Sequence, residues 1–137
     1  MMRLSGTYTL SLNGKTFVAH NAVTDAGLVI AARLMTGELQ TDNVGIGLKD
    51  DGASSPGDTL VNHPGWNVLS QTVSTSLASL GARVQTPVMD VPIPQDCVVA
   101  GCFLTVGGVL FSVAEFEPEG VIQGDVMQVQ YALDLTR

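Results

Sequence analysis

Apolar and polar residues alternate over most of this chain, and that alternation predicts strands. In Thr7-Tyr8-Thr9-Leu10-Ser11-Leu12, the residues Tyr8, Leu10 and Leu12 share one face, with Thr7, Thr9 and Ser11 on the other. Asn13-Gly14 is a strong two-residue hairpin signal, and Lys15-Thr16-Phe17-Val18-Ala19 returns. Residues 1–20 therefore read as an N-terminal hairpin or arm, and 21–137 as the body of what is a single domain overall.

The period changes once. Thr24 or Asp25 can cap a helix over Asp25 to Thr36, with Leu28, Ala31, Ala32 and Met35 on one side, Ile30 and Leu34 widening the stripe, and Gly37 as its stop. Three turns are too few to stand alone, so this helix must dock on a sheet. Alternation resumes in Asn43-Val44-Gly45-Ile46-Gly47-Leu48, where Val44, Ile46 and Leu48 face one way and the glycines leave the other side open to close approach. A long polar loop of turn formers follows, Lys49 to Asp58. Further strands are expected over Trp66 to Ser76, Ala82 to Asp90, Cys97 to Val106, Val109 to Phe116 and Val126 to Thr136. Gly107-Gly108 forms a tight turn between two of them. Val91-Pro92-Ile93-Pro94 belongs at an edge or in a connection, because proline has no N–H to give. About eight strands and one short α-helix make a mainly β chain. The predicted architecture is a two-sheet antiparallel β-sandwich, jelly-roll-like in order.

Composition narrows the function classes. The 137 residues are 45% hydrophobic and only 14% charged, which suits one packed core. Net charge is −7, so the basic face of a duplex-binding protein is missing, and no nucleic acid partner is expected. No apolar run reaches the roughly 18 residues of a membrane span, and no signal-peptide core opens the chain, so no membrane partner is expected either. Cys97 and Cys102 lie about 16 Å apart if their run is one strand, beyond the roughly 7 Å of a disulfide, and read as free thiols.

Candidate chemistry is sparse. His20 and His63 sit in segments that read as turns, with no nucleophile elbow to serve. Gly45-Ile46-Gly47 lacks the third glycine and the helix of a dinucleotide site. Asp50, Asp51 and Asp58 do not have the spacing of a calcium loop. Glu115, Glu117 and Glu119 alternate and suggest a solvated face, or a rim that meets a basic partner. Trp66, beside His63 and Asn67, suits an interface anchor or a carbohydrate-stacking platform. No enzyme, metal or cofactor is expected from these residues.

The order of several segments is familiar. Asn21-Ala22-Val23-Thr24-Asp25-Ala26-Gly27-Leu28 leads into the helix, and Asn43-Val44-Gly45-Ile46-Gly47 precedes Ala53-Ser54-Ser55-Pro56-Gly57-Asp58-Thr59-Leu60. Val99-Ala100-Gly101-Cys102-Phe103, Gly107-Gly108-Val109-Leu110-Phe111-Ser112-Val113-Ala114 and a closing alternating strand come last. In this order the chain resembles small structural proteins of tailed bacteriophage virions, over roughly Asn21 to Leu135. It departs from them in having Val99 where they carry an acid, and in a more acidic loop at Leu48 to Asp51.

The resemblance implies a β-sandwich subunit made in the host cytoplasm and carried on the virion. It would be a capsid decoration (cement) subunit on the major capsid protein, or a tail component such as a fibre-base adaptor or tip protein. It also implies a homo-oligomer, with a trimer favoured. The contacts expected for that role are Met1, Met2 and Arg3 of an extended arm, together with Asp50, Asp51, Ser54, Ser55, Asp58 and Trp66. An arm of this kind adds a strand to a neighbour's sheet edge.

Overall fold

The computed structural model describes residues 3–35, 43–74, 78–80 and 83–136. Met1 and Met2, the helix stop at Thr36 and Gly37, the strand end at Thr75 and Ser76, and the strand start at Ala82 lie outside the described residues. Among the described residues the elements are β1 (Arg3–Leu12), β2 (Lys15–His20), β3 (Ala22–Val23), α1 (Asp25–Met35), β4 (Val44–Lys49), β5 (Val68–Ser74) and β6 (Ala78–Leu80). They continue with β7 (Arg83–Gln85), β8 (Met89–Pro92), β9 (Cys97–Val106), β10 (Val109–Val121) and β11 (Val126–Thr136). One sheet runs β2-β1-β11-β7-β6, with β8 also on β11; the other runs β3-β10-β9-β4-β5. The chain crosses between sheets at β2–β3, β5–β6, β8–β9 and β10–β11, while β1–β2, β6–β7 and β9–β10 are hairpins within a sheet. This is the two-sheet antiparallel sandwich with one short helix that the patterning predicts.

The core lies between the sheets. Tyr8, Leu10, Met127, Val129 and Tyr131 from one face meet Val44, Ile46, Leu48, Val99, Leu104 and Phe111 from the other. Both expected hairpin turns form. Asn13 and Gly14 have φ of 51° and 81°, Gly107 and Gly108 have 59° and 81°, and paired left-handed residues match the twist of the flanking strands.

Thr24 caps the helix. Its Oγ1 accepts the Gly27 N–H at 2.9 Å and donates to the Leu110 carbonyl at 2.7 Å. Ile30 and Ala31, both expected on the docking side, are buried together with Gly27, whereas Leu28 is exposed; the side chains of Ala32, Leu34 and Met35 lie outside the described residues. Gly27 decides this: a Cβ there would lie 2.0 Å from the Phe111 carbonyl oxygen, so the helix presses its glycine on β10.

Another expectation changes. The strand expected over Ala82 to Asp90 is broken into β7 and β8, end to end along β11, because Pro87 cannot continue the ladder. Thr86 spans the gap, its N–H donating to the Tyr131 carbonyl and its Oγ1 accepting the Tyr131 N–H. The described part of the expected arm is a strand: Arg3 to Gly6 pair along one edge with Thr136 to Leu133 of the chain's own β11, and from Thr7 onward β1 also pairs with β2 on its other edge.

The sandwich is pinched along both long sides. On one, Ser70 and Thr72 of β5 donate their hydroxyls to the Pro92 and Asp90 carbonyls of β8, at 2.6 and 2.7 Å. On the other, the Phe17 ring lies 5.0 Å from Phe116, and Lys15 pairs with Glu119 at 2.7 Å. Side chains thus guard edges that would otherwise offer unpaired backbone.

Candidate functional site

β4 is buried on both faces, its glycine side under the close cover that Gly45 and Gly47 allow. Its inward side chains are core, and its outward side is roofed by the loop from Asp50 to Asn67. The outward residues of β4 are Gly45, Gly47 and Lys49. The two glycines leave a trough: a Cβ on Gly47 would sit 2.1 Å from the Phe103 ring. Phe103 fills that trough and, with Leu110 and Val113, forms a second small core beneath Trp66 and Leu60. The two limbs of the loop touch backbone to backbone, since a Cβ on Gly52 would lie 1.6 Å from the Gly65 carbonyl oxygen.

Lys49 is the loop's anchor. Its side chain is fully buried, and Nζ donates to the Gly52 carbonyl at 2.6 Å and the Asp50 carbonyl at 3.1 Å, with Glu115 Oε1 at 3.5 Å. Three acceptors match the three N–H bonds of an ammonium, which makes burial of its charge tolerable. The Trp66 ring lies 5.7 Å away. Trp66 Nε1 donates to Asp58 Oδ2 at 2.8 Å, and the same oxygen accepts the Ser55 N–H. His63 stacks on the indole at 4.1 Å and bonds the Trp66 carbonyl through Nδ1.

The carboxylates bind the loop to itself. Asp50 accepts the Gly52 and Asn67 N–H groups on Oδ1 and the Asn67 side-chain amide on Oδ2. Partial desolvation acts to raise the Asp50 carboxyl, but these Asn67 and Gly52 bonds and the nearby Lys49 charge outweigh it and hold it below the ordinary carboxylate range. Glu115 is likewise held low: desolvation opposes, and the Ser54 N–H with Lys49 prevails.

The residues expected to meet a partner therefore divide. Asp51 and Ser55 are exposed on the rim of the loop; Asp50 and Ser54 are half-buried within it. Trp66 and Asp58 are buried, at 3% and 6% exposure, and bonded to each other, which corrects their expected place at the contact surface. A sugar ring could not stack on Trp66 without displacing His63. The side chain of Arg3 is not described, and its backbone belongs to β1. Thr24, Ser54, Ser55, Pro56 and Val113 line a cavity of about 50 Å³, room for about one or two waters.

Lys49 was not singled out by its type or spacing, and Glu115 was read only as one of an alternating acidic triplet. The available signal was parity, because Lys49 continues the face of Gly45 and Gly47. The acidic triplet does not share one face either, since β10 bulges between Glu115 and Glu119. Glu115 turns to Lys49 and Glu119 to Lys15, leaving Glu117 on the exposed bulge. Among the described residues no group of three or more His, Cys, Asp or Glu is placed to hold a metal ion.

The remaining buried polar groups serve the core. The Tyr8 and Ser112 hydroxyls share a short hydrogen bond, and Tyr131 accepts from Asn21 Nδ2 at 2.8 Å. Burial pushes both tyrosine hydroxyls up, so they stay protonated. Burial also raises the free thiols Cys97 and Cys102, the former with help from Asp96, which suppresses thiolate reactivity. No protein-family model, curated protein or solved structure matches this chain.

Proposed function

We propose that this protein is a structural subunit of a tailed bacteriophage particle, a capsid decoration protein that binds and stabilises the major capsid lattice from outside. The observation that carries the reading is the convergence of the segments behind the resemblance. Asn21 to Leu28, Asn43 to Gly47, Ala53 to Leu60, Val99 to Phe103 and Gly107 to Ala114 are distant in sequence. They meet as β3, the start of α1, β4, the roofing loop, β9 and β10, around one sheet. A loop of this length, pre-set by its own hydrogen bonds, reaches a partner without a large ordering cost. Its exposed rim, with Asp51 and Ser55, is the proposed contact with the shell. The copies are proposed to associate with one another as well.

A ligand that binds only the assembled lattice stabilises that lattice by mass action. Particles lacking the protein should release DNA at a lower temperature than complete ones. Copy number, measured by mass spectrometry of purified particles, separates the variants of the reading. Decoration predicts an abundance comparable with the shell subunit, and a tail adaptor or tip only a few copies per particle. Absence from the particles overturns both.

A further inference from the structure

An asparagine or aspartate followed by glycine is chemically labile, because the uncrowded glycine nitrogen can attack the side-chain carbonyl carbon of the residue before it. The sequence holds two such pairs, Asn13-Gly14 and Asp51-Gly52. Asn21, Asn43, Asn62 and Asn67 precede Ala22, Val44, His63 and Val68, whose side chains crowd that nitrogen. By sequence the two glycine pairs are alike. The fold separates them.

Asp51-Gly52 is locked. The Gly52 N–H donates to Asp50 Oδ1 at 3.2 Å, and its carbonyl accepts from Lys49 Nζ at 2.6 Å. A Cβ on Gly52 would lie 1.6 Å from the Gly65 carbonyl oxygen, so this backbone cannot turn without lifting the loop. Asn13-Gly14 has the opposite surroundings. Both residues are exposed, and a Cβ on Gly14 would meet nothing within 4 Å. With φ of 51° and 81° the pair makes a type I′ turn. A flip of the peptide between them gives type II′, which keeps φ positive at Asn13 and reverses it at Gly14, a change glycine makes at little cost. Leu12 stays opposite Lys15, because both turns close a two-residue hairpin. The flip swings the Gly14 nitrogen toward the Asn13 side chain, where attack becomes geometrically open.

We propose that Asn13 is a self-modification site, deamidating in the folded protein. The Gly14 nitrogen loses its proton to solvent base and bonds to the Asn13 side-chain carbonyl carbon. The bond from that carbon to the amide nitrogen breaks, and the nitrogen leaves as ammonia with a proton from solvent, so a cyclic imide remains. Water then opens the imide at either carbonyl. At the side-chain carbonyl it breaks the newly formed C–N bond and leaves an α-linked aspartate. At the main-chain carbonyl it breaks the original peptide bond and leaves a β-linked one with a free α-carboxylate. Nothing is oxidised or reduced, and each route adds one negative charge. An Asp-Gly pair suits the same turn. The β-linkage instead adds a methylene to the main chain of the turn and disturbs the register of β2, which carries Phe17 against Phe116 and Lys15 against Glu119.

Ageing the full-length protein at neutral and mildly alkaline pH tests this, with one sample folded in buffer and one unfolded in guanidinium chloride. Peptide mass spectrometry, with fragmentation that distinguishes α from β linkage, reads the products. Folded protein should lose Asn13 within about tenfold of the unfolded rate, a difference of about 1.4 kcal/mol in barrier at most. The loss should quicken as pH rises, because the attacking nitrogen must give up its proton. The β-linkage at Asp51 should form only in the unfolded sample. The separated β-linked protein should melt below fresh protein, and Asn13→Asp should melt with it. A folded chain that keeps Asn13 while the unfolded one loses it overturns the inference, as does β-linkage at Asp51 forming equally fast in both samples.

Discussion

A lysine with no exposed side-chain surface is rare on the outside of a sheet, and Lys49 is tolerated only because three acceptors surround its ammonium. Two are backbone carbonyls of the loop it anchors, so removing the ammonium leaves them unsatisfied under Trp66. Lys49→Met should therefore cost about 1–3 kcal/mol, read from the urea midpoint. Glu115→Gln should cost under about 1 kcal/mol, since Glu115 is 53% exposed and solvent screens the pair. Equal losses would mean that the ion pair, and not the carbonyls, holds the lysine. Asp50 and Glu115 also set a pH dependence. Both carboxyls are held low in the fold, so their stabilisation is complete above the ordinary carboxylate range and lost as pH falls through the lowered values. Trp66 fluorescence, reporting on the loop, should change below about pH 4, ahead of the far-UV signal of the sheets.

At the scale of elements, the turns and the alternating strands were the most legible. Asn13-Gly14 and Gly107-Gly108 announce hairpins because few residues besides glycine and asparagine adopt positive φ at low cost. Gly108→Val should destabilise by about 1–3 kcal/mol, because at φ 81° it strains a branched side chain even though open space surrounds it. An unshifted melting curve would contradict that account. Met127, on the inward face of β11, should cost about 2–5 kcal/mol when cut to alanine. The helix was harder to orient: Leu28 looks like core by type, yet Gly27 wins the position against β10 because contact there is backbone on side-chain-free backbone. Hydrophobicity alone does not encode how closely two elements approach.

For the molecule as a whole, long-range pairing matters most at the N-terminus. A free arm and a sheet strand have the same local pattern, and Arg3 to Gly6 take the strand form along one edge, against residues more than a hundred positions away. Deleting residues 1–6 should therefore lower the melting temperature by several degrees, about 1 kcal/mol or more for a domain this size. An arm that served only a partner would leave the temperature unchanged. The roofing loop teaches the same lesson. Its acids and its tryptophan suggested a surface for others, while the fold spends Asp50, Asp58 and Trp66 on the loop itself and leaves Asp51 and Ser55 outside.

Local chemistry was enough for the strands, the two tight turns, a helix capped at Thr24 or Asp25, and the sandwich class. These depend on side-chain period and backbone preference within a few residues, which a linear chain carries openly. Which polar groups find partners, and so which remain free to act, was decided only when the loop folded onto its sheet. Glu115 takes its role from Ser54 and Lys49, more than sixty residues away, whereas Lys49, Asp58 and Trp66 bond within the folded loop, and a buried donor or acceptor is defined by its partner, not by its type.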